Sequence, residues 1–321
     1  LDSELRKTVQ SDLFLLVTAA VWGTAFVAQR VGMEYVGPFL FNGMRFFLGG
    51  VSLLPFLVLN RRKRNTASGN AGSNAAGTAG EGSGHQSATV AALLGAGGLA
   101  GLFLFLGSSF QQVGIVYTTA GNAGFITGLY VIIVPLIGLL AGHRPGPGVW
   151  IGAVLAVAGL YFINETGGLR LARGDALVLI CAFFFAAHVL IIGRVSPGLP
   201  ALPLSIIQFF SCSLLSLIAA TALEEIQLSA ILAAAVPILY GGIGSVGIAY
   251  TLQVIAQKHA KPGHAAIILS MESVFALVGG WLLLSEPAGA TKLLGCFLML
   301  SGMLSAQAQR YGLYRKLGPQ T

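Results

Sequence analysis

Residues 264–287 read HAAIILSMESVFALVGGWLLLSEP. The stretch is long enough to cross a bilayer, whose hydrocarbon core of about 30 Å takes about 20 apolar residues as a helix. One ionisable residue lies in its interior, Glu272. The stretch also has a twin. A shift of 142 positions lays residues 122–145, NAGFITGLYVIIVPLIGLLAGHRP, on it without a gap. Identities fall at Ala123/Ala265, Ile126/Ile268, Gly138/Gly280, Leu140/Leu282 and Pro145/Pro287. The register continues upstream at Gly121/Gly263 and Gln111/Gln253 and, after one inserted residue, downstream at Gly152/Gly295, Leu155/Leu298 and Gly159/Gly302. Single matches of Ala, Gly or Leu carry little here; the shared offset is the argument. The chain reads as one membrane unit written twice.

Composition narrows the class. Charged residues make up 9% of 321 positions and hydrophobic residues 55%, whereas a soluble domain carries about 25% charged residues. The three cysteines sit inside apolar runs, and no C-x-x-C or H-x-x-x-H pairing suggests a disulfide framework or a metal site. The net charge of +7 is spread over short loops rather than gathered in a patch, so no nucleic-acid partner is expected. The first apolar run leads straight into further spans without a small-residue cleavage site, so no cleaved leader is expected.

Ten apolar runs predict ten transmembrane helices: 13–28, 39–59, 91–110, 122–142, 149–164, 176–193, 202–223, 237–255, 265–284 and 292–306. The predicted fold is an all-α polytopic membrane protein of two five-helix repeats, residues 1–164 and 165–321. Five is odd, so the second repeat enters the membrane from the opposite side and the pair is inverted. Residues 66–87, TASGNAGSNAAGTAGEGSGHQS, have no apolar periodicity and read as a flexible loop between the second and third helices. With a cytoplasmic N-terminus, 13 of the 18 Lys and Arg fall on inside segments, 4 outside, and Arg45 lies within helix two. The positive-inside rule then puts both termini in the cytoplasm of a cell that holds the protein in its cytoplasmic (inner) membrane.

Four segments resemble a known family. They are WGTAFV (22–27), the single Arg45 of helix two, VYTTAGNAGFITGLYVIIVP (116–135) and SMESVFALVGGWLLLSEP (270–287). Together they resemble the EamA-like, ten-helix branch of the drug/metabolite transporter superfamily. The last segment is similar to the family's Leu-Glu-Pro-Val followed by Gly-Glu; here Met271-Glu272-Ser273-Val274 and Ser285-Glu286 stand in those places, without the proline. The resemblance covers nearly the whole chain outside residues 66–87. It implies transport of amino acids, other metabolites or drugs.

An ionisable group in hydrocarbon costs at least ~2.5 kcal/mol on insertion scales, so each one present needs a reason. Glu272 shares a helix face with Ile268, Ala276 and Gly279, where small residues admit a neighbouring helix. It is either a protonatable or substrate-facing carboxylate or a structural one bonded to another helix. Its twin position is Tyr130. Arg45, on one face with Asn42 and Gly49, either faces an internal cavity or snorkels to the headgroups. His188 is either a hydrogen-bonded core histidine or a cavity residue, and His264 reads as interfacial. Gln111 and Gln253 are twins near the ends of helices three and eight, with Tyr250 on the Gln253 face. Trp22 supplies either an aromatic cavity wall or a packing side chain. Gly97/Gly101 and Gly124/Gly128 read as helix-packing faces. The substrate-cavity candidates are thus Trp22, Asn42, Arg45, Gln111, Tyr130, His188, Tyr250, Gln253 and Glu272.

The function expected is a secondary transporter, an exporter by the resemblance, that moves small metabolites or drugs by alternating access. A passive channel is the alternative, and a membrane-embedded enzyme a weaker one. No G-x-x-x-x-G-K-[ST], H-E-x-x-H or G-x-S-x-G is present, so neither ATP use nor catalysis is expected. No cofactor or metal is called for. The partners expected are a small-molecule substrate and the bilayer. One chain suffices for one pathway, with a homodimer allowed but not required.

Overall fold

A backbone in hydrocarbon has no water to satisfy its N–H and C=O groups, so a single span must bond to itself. The computed structural model describes residues 3–71, 82–118, 120–140, 142, 145–163, 173–284 and 289–316, and these form helices with no strand among them. The first three are α1 (Ser3–Gly32), α2 (Pro38–Ala71) and α3 (Gly82–Tyr117). Then come α4 (Ala120–Gly128), α5 (Tyr130–Leu140) and α6 (Pro147–Ile163). α7 (Arg173–Val195) joins α8 (Ala201–Leu223) through a 3₁₀ turn. Short helices α9 (Leu228–Ala233) and α10 (Ala235–Leu239) lead into a π-helix, Tyr240–Tyr250, and α11 (Thr251–Ala256). α12 (Pro262–Leu269), α13 (Glu272–Leu284) and α14 (Ala290–Lys316) follow.

Among the described residues eight stretches are long and apolar enough to cross a membrane, with α4–α5, α10–α11 and α12–α13 each forming one of them. Two shorter apolar helices, Pro147–Gly159 and Leu293–Gly302, lie within α6 and α14. The protein is therefore an all-α, multi-pass membrane protein. Its surface follows from its solvent. Leu140 is 90% exposed and Val236 77%, while Asn42, Gln112, Gln208 and Gln253 are fully buried. Apolar side chains thus populate the outside of the bundle as well as its core, while these polar ones are turned inward.

The loop expected over residues 66–87 is shorter than that. α2 continues to Ala71 and α3 begins at Gly82; the proline inside α2, Pro55, lies well before that stretch, and none occurs within it. The remainder of that stretch, 72–81, lies outside the described residues.

The spans expected at 122–142 and 265–284 are each interrupted, and at matching places. In the first, Leu129 N bonds to Ile126 O (3.1 Å), Ile132 N to Leu129 O (3.0 Å) and Ile133 N to Leu129 O (3.3 Å). In the second, Met271 N bonds to Ile268 O (3.1 Å), Val274 N to Met271 O (3.0 Å) and Phe275 N to Met271 O (3.1 Å). Every donor and acceptor in the first set has its counterpart 142 residues later. Each interruption is one tightened i→i+3 turn between α-helical segments. No proline is needed to make either. Gly128 precedes one, where the absence of a side chain weakens the helix. Ser270 occupies the other and turns its hydroxyl back onto Ile267 O at 2.8 Å, competing with the backbone ladder.

Glycines set the helix contacts. A Cβ on Gly159 would lie 2.5 Å from Gly295 O, and one on Gly302 would lie 2.7 Å from Gly152 O. α6 and α14 thus touch backbone to backbone through two twin pairs, each residue meeting the counterpart of the other's partner. A Cβ on Gly97 would meet Ile207 at 2.6 Å and one on Gly101 would meet Ser211 at 2.5 Å, so that face of α3 packs on α8. At the mouth of α2, Pro38 opens the helix and the Glu224 carboxylate accepts the N–H groups of Phe39 (2.7 Å) and Leu40 (2.8 Å). An anion there satisfies two orphan donors and complements the helix dipole.

Candidate functional site

α1 and the π-helix are stitched together along their length. Thr18 Oγ1 donates to Ala249 O (3.1 Å), Trp22 Nε1 to Ser245 O (3.2 Å), and Thr24 Oγ1 pairs with the Tyr240 hydroxyl. Partners climb on one element as they descend on the other, so the two run antiparallel. A π-helix brings residues five apart onto one face, whereas on an α-helix of 3.6 residues per turn they lie about 140° apart. That geometry lets Ser245 and Tyr250 face the same space.

The space is a narrow cavity between side chains of both halves of the chain. α1 contributes Trp22, Phe26 and Gln29; α2, Arg45; and α3, Gln111. Thr127 and Tyr130 come from α4 and α5. From the second half come Phe185, His188 and Val189 on α7, Ser245 and Tyr250 on the π-helix, Gln253 on α11 and Glu272 on α13. Eight of the nine candidates drawn from the sequence line it, and the exception, Asn42, stands directly behind Arg45.

Glu272 is 3% exposed. The sequence placed it about eight residues into one continuous helix; it instead opens α13, directly after the tightened turn. Tyr130, its twin, opens α5 in the same way. The two side chains lie within electrostatic reach of each other. They pair as phenol and carboxyl, and the contact is loose: it falls short of a full hydrogen bond at the Tyr130 hydroxyl and at Glu272 Oε1. The next side chain, Ser273, donates to Gly124 O at 2.8 Å, tying α13 to α4 beside the cavity. Gly23 explains how α1 fits there: a Cβ would lie 2.4 Å from Phe275 Cβ and 2.5 Å from Glu272 O. The Gly of WGTAFV is thus a contact point with the helix that carries the carboxylate.

Arg45 is 2% exposed and lines the cavity, so it does not snorkel to the headgroups. Its Nε donates to Asn42 Oδ1 (2.9 Å), and Asn42 Nδ2 donates to Ser108 O (3.0 Å). The guanidinium carbon sits 4.9 Å from the Phe46 ring centre and 5.7 Å from that of Phe41. His188 is both things the sequence left open: it lines the cavity, and its Nε2 meets Gln208 Oε1 at 2.9 Å. Trp22 is a wall, its ring 4.4 Å from Tyr250, which also touches Phe46, Phe209 and His188 at 6.0–6.1 Å. Gln111 Nε2 donates to Thr127 Oγ1 at 3.1 Å. Its twin Gln253 is fully buried with both amide atoms unpartnered.

His264 does not lie at an interface. It is 5% exposed, and its Nε2 stands 2.9 Å from Asp12 Oδ1. Asp12, immediately before the first apolar run, is itself buried inside α1. Glu272 is therefore not the only acid held inside a helix of the bundle. The sequence also passed over Phe26 and Gln29, although they follow Trp22 at spacings of four and seven on one helical face. Ser245 had no such signal, because the π-helix alone turns it inward. Among the described residues, no three His, Cys, Asp or Glu gather as a metal site.

The family model described as the EamA-like transporter family matches residues 10–165 and 172–306. The chain belongs to the EamA-like transporter family. An uncharacterized transporter of Archaeoglobus fulgidus is 31% identical over 306 residues, which span 93% of this chain and 86% of the relative. The uncharacterized inner membrane transporter YedA of Escherichia coli is 24% identical over 164 residues, about half of either chain. A solved crystal structure superposes with a TM-score of 0.67 at 20% identity, covering 96% of this chain and 99% of the other, a likeness of fold. This EamA-like protein is a secondary transporter of small molecules, and its buried polar cavity lies where both halves meet.

Proposed function

We propose that the transporter works by alternating access, with two inverted five-helix repeats, residues 1–164 and 165–321, rocking about the central cavity. The observation that carries the reading is the cavity's construction. Tyr130 and Glu272, separated by the repeat offset, each open the second segment of an interrupted span and both line it. Discontinuous helices at the repeat interface are where such transporters hold their solutes. Support for the two-fold relation comes from the matching backbone bonds at the two turns and from the reciprocal Gly159–Gly295 and Gly302–Gly152 contacts. A pseudo-dyad makes contacts reciprocal in this way. On this reading α6 and α14 also cross the membrane, giving ten spans and a cytoplasmic location for both termini.

The solute sits among Trp22, Arg45, Tyr130, Tyr250, Gln253 and Glu272, with Asn42 holding Arg45 and with Gln111 and His188 completing the wall. Export is the direction the family resemblance suggests, and one chain forms one pathway. The Asp12–His264 contact joins α1 to α12 about ten residues, or roughly 15 Å of helix, before Trp22. On this reading the contact closes the end of the pathway that the positive-inside rule makes cytoplasmic. Counterflow in proteoliposomes tests the reading: preloaded unlabelled solute drives transient accumulation of labelled solute through a transporter. Flux that rises linearly with concentration and shows no counterflow would indicate a channel instead.

A further inference from the structure

The cavity contains a cation that makes no ion pair among the described residues, although the Glu272 carboxyl stands elsewhere on the same wall. Among the lining side chains Arg45 is the one Lys or Arg, and arginine stays charged at any pH a protein meets. The two ion pairs among the described residues, Lys7–Glu4 and His264–Asp12, lie elsewhere. The guanidinium's one hydrogen bond among the described residues runs from Nε to Asn42. Two phenyl rings cover its flat faces, and cation–π contact stabilises the charge there without consuming a donor. What remains is the edge carrying Nη1 and Nη2, the part of arginine that matches a carboxylate with two parallel hydrogen bonds. A second observation points to a ligand. Gln253 is fully buried on the same cavity, and among the described residues neither its amide oxygen nor its amide nitrogen has a hydrogen-bond partner, nor has Gln29 Oε1 on the same lining. Buried polar atoms are normally paired, so such orphans around one space mark an absent partner.

We propose that Arg45 anchors an anionic group and that the solute carried through this cavity is a small organic monocarboxylate. The proposal rests on the transporter reading above and names the solute class for it. A single cation balances one negative charge, which favours a carboxylate over a phosphate dianion. The aromatic wall of Trp22 and Tyr250 favours an apolar body behind the acid group. Asn42 is a positioning residue: it fixes the guanidinium's orientation through Nε and leaves the outer edge free.

The test compares four probes of one shape on the purified protein in detergent: 3-phenylpropionate, its amide, 2-phenylethylamine and L-phenylalanine. Binding to the folded state raises the unfolding temperature by mass action. Phenylpropionate is expected to bind at least about tenfold tighter than its amide, as loss of a charge-assisted hydrogen bond implies. A carboxylate bearing an amino group, L-phenylalanine, tests whether Glu272 adds a contact for an ammonium. Arg45→Gln is expected to erase the acid-over-amide preference, and Arg45→Lys to retain part of it. The wild-type comparison stands even where a variant does not fold. Equal binding of acid and amide, binding of the amine alone, or no saturable binding by either carboxylate overturns the proposal. If the amide or amine binds and is exchanged by counterflow in proteoliposomes, the transporter reading stands while the carboxylate assignment falls. If a probe binds and is not exchanged, the transporter reading is the one that fails.

Discussion

Tyr130 and Glu272 lie 142 residues apart in the chain, and both open the second segment of an interrupted span on the wall of one cavity. The two positions share the backbone device and differ in the side chain. One half presents a phenol, the other a carboxyl, and the two pair only loosely, short of a full hydrogen bond at the phenol oxygen and at Glu272 Oε1 among the described residues. A group held so loosely is available to a solute or a proton.

Glu272→Gln is therefore expected to insert and fold as the parent does, because an amide of the same shape disturbs no existing bond at Oε1. Transport by the variant is expected to lose its pH dependence, since an amide neither takes up nor releases a proton. Flux across a pH series, with membrane insertion measured separately, checks this. A purely structural carboxyl would instead give wild-type flux at every pH for Gln.

Gly23→Val is expected to impair transport more than insertion. Its side chain would collide with Phe275 Cβ and with the Glu272 carbonyl, at 2.4 and 2.5 Å from the first added carbon. Overpacking of this kind costs about 1–3 kcal/mol and here moves α1 away from the turn that carries the carboxyl. Thermal unfolding in detergent together with flux measures both effects.

Gly159→Leu and Gly302→Leu are expected to act on one contact. Each pushes α6 from α14, and once one has opened the gap the other adds less than its separate effect. Unfolding temperatures of the two single variants and the double variant report the coupling, because residues sharing one contact are non-additive. Full additivity would mean that the two sites are independent.

Glu224→Ala is expected to lower stability by about 0.5–2 kcal/mol, the range for losing a helix N-cap. It removes the acceptor of the Phe39 and Leu40 N–H groups without touching the cavity. The loss is expected in thermal unfolding of the detergent-solubilised protein, with the solute's apparent KM unchanged.

Much of this architecture was legible because the bilayer simplifies it. A long apolar run in hydrocarbon becomes a helix, and a constant offset of 142 carries a repeat even when single matches are Ala and Gly. The cavity residues were legible for the same reason: Arg45, His188 and Glu272 are expensive in lipid, so they turn inward. Three things were hidden. The turns at Leu129 and Ser270–Met271 leave no proline as a sign and depend on hydrogen-bond choices of the local backbone. The π-helix has the composition of an ordinary apolar helix, so Ser245 could not be placed. The Asp12–His264 contact spans 252 residues between two segments whose mutual approach no periodicity reports.

Alternating access requires that one cavity be reached from each side in turn. Its most direct test places a cysteine at Gln253, in a background with Cys181, Cys212 and Cys296 replaced by serine or alanine. Reaction with a membrane-impermeant thiol reagent is then followed from each face of sealed vesicles. A companion protein also carries Asp12→Cys and His264→Cys, so that a disulfide can lock the contact between α1 and α12. Before locking, labelling is expected from both faces and is slowed by solute. After locking, labelling from the cytoplasmic face is expected to stop while labelling from the outer face persists. Labelling from both faces at undiminished rates after locking, or from neither face before it, would contradict the account.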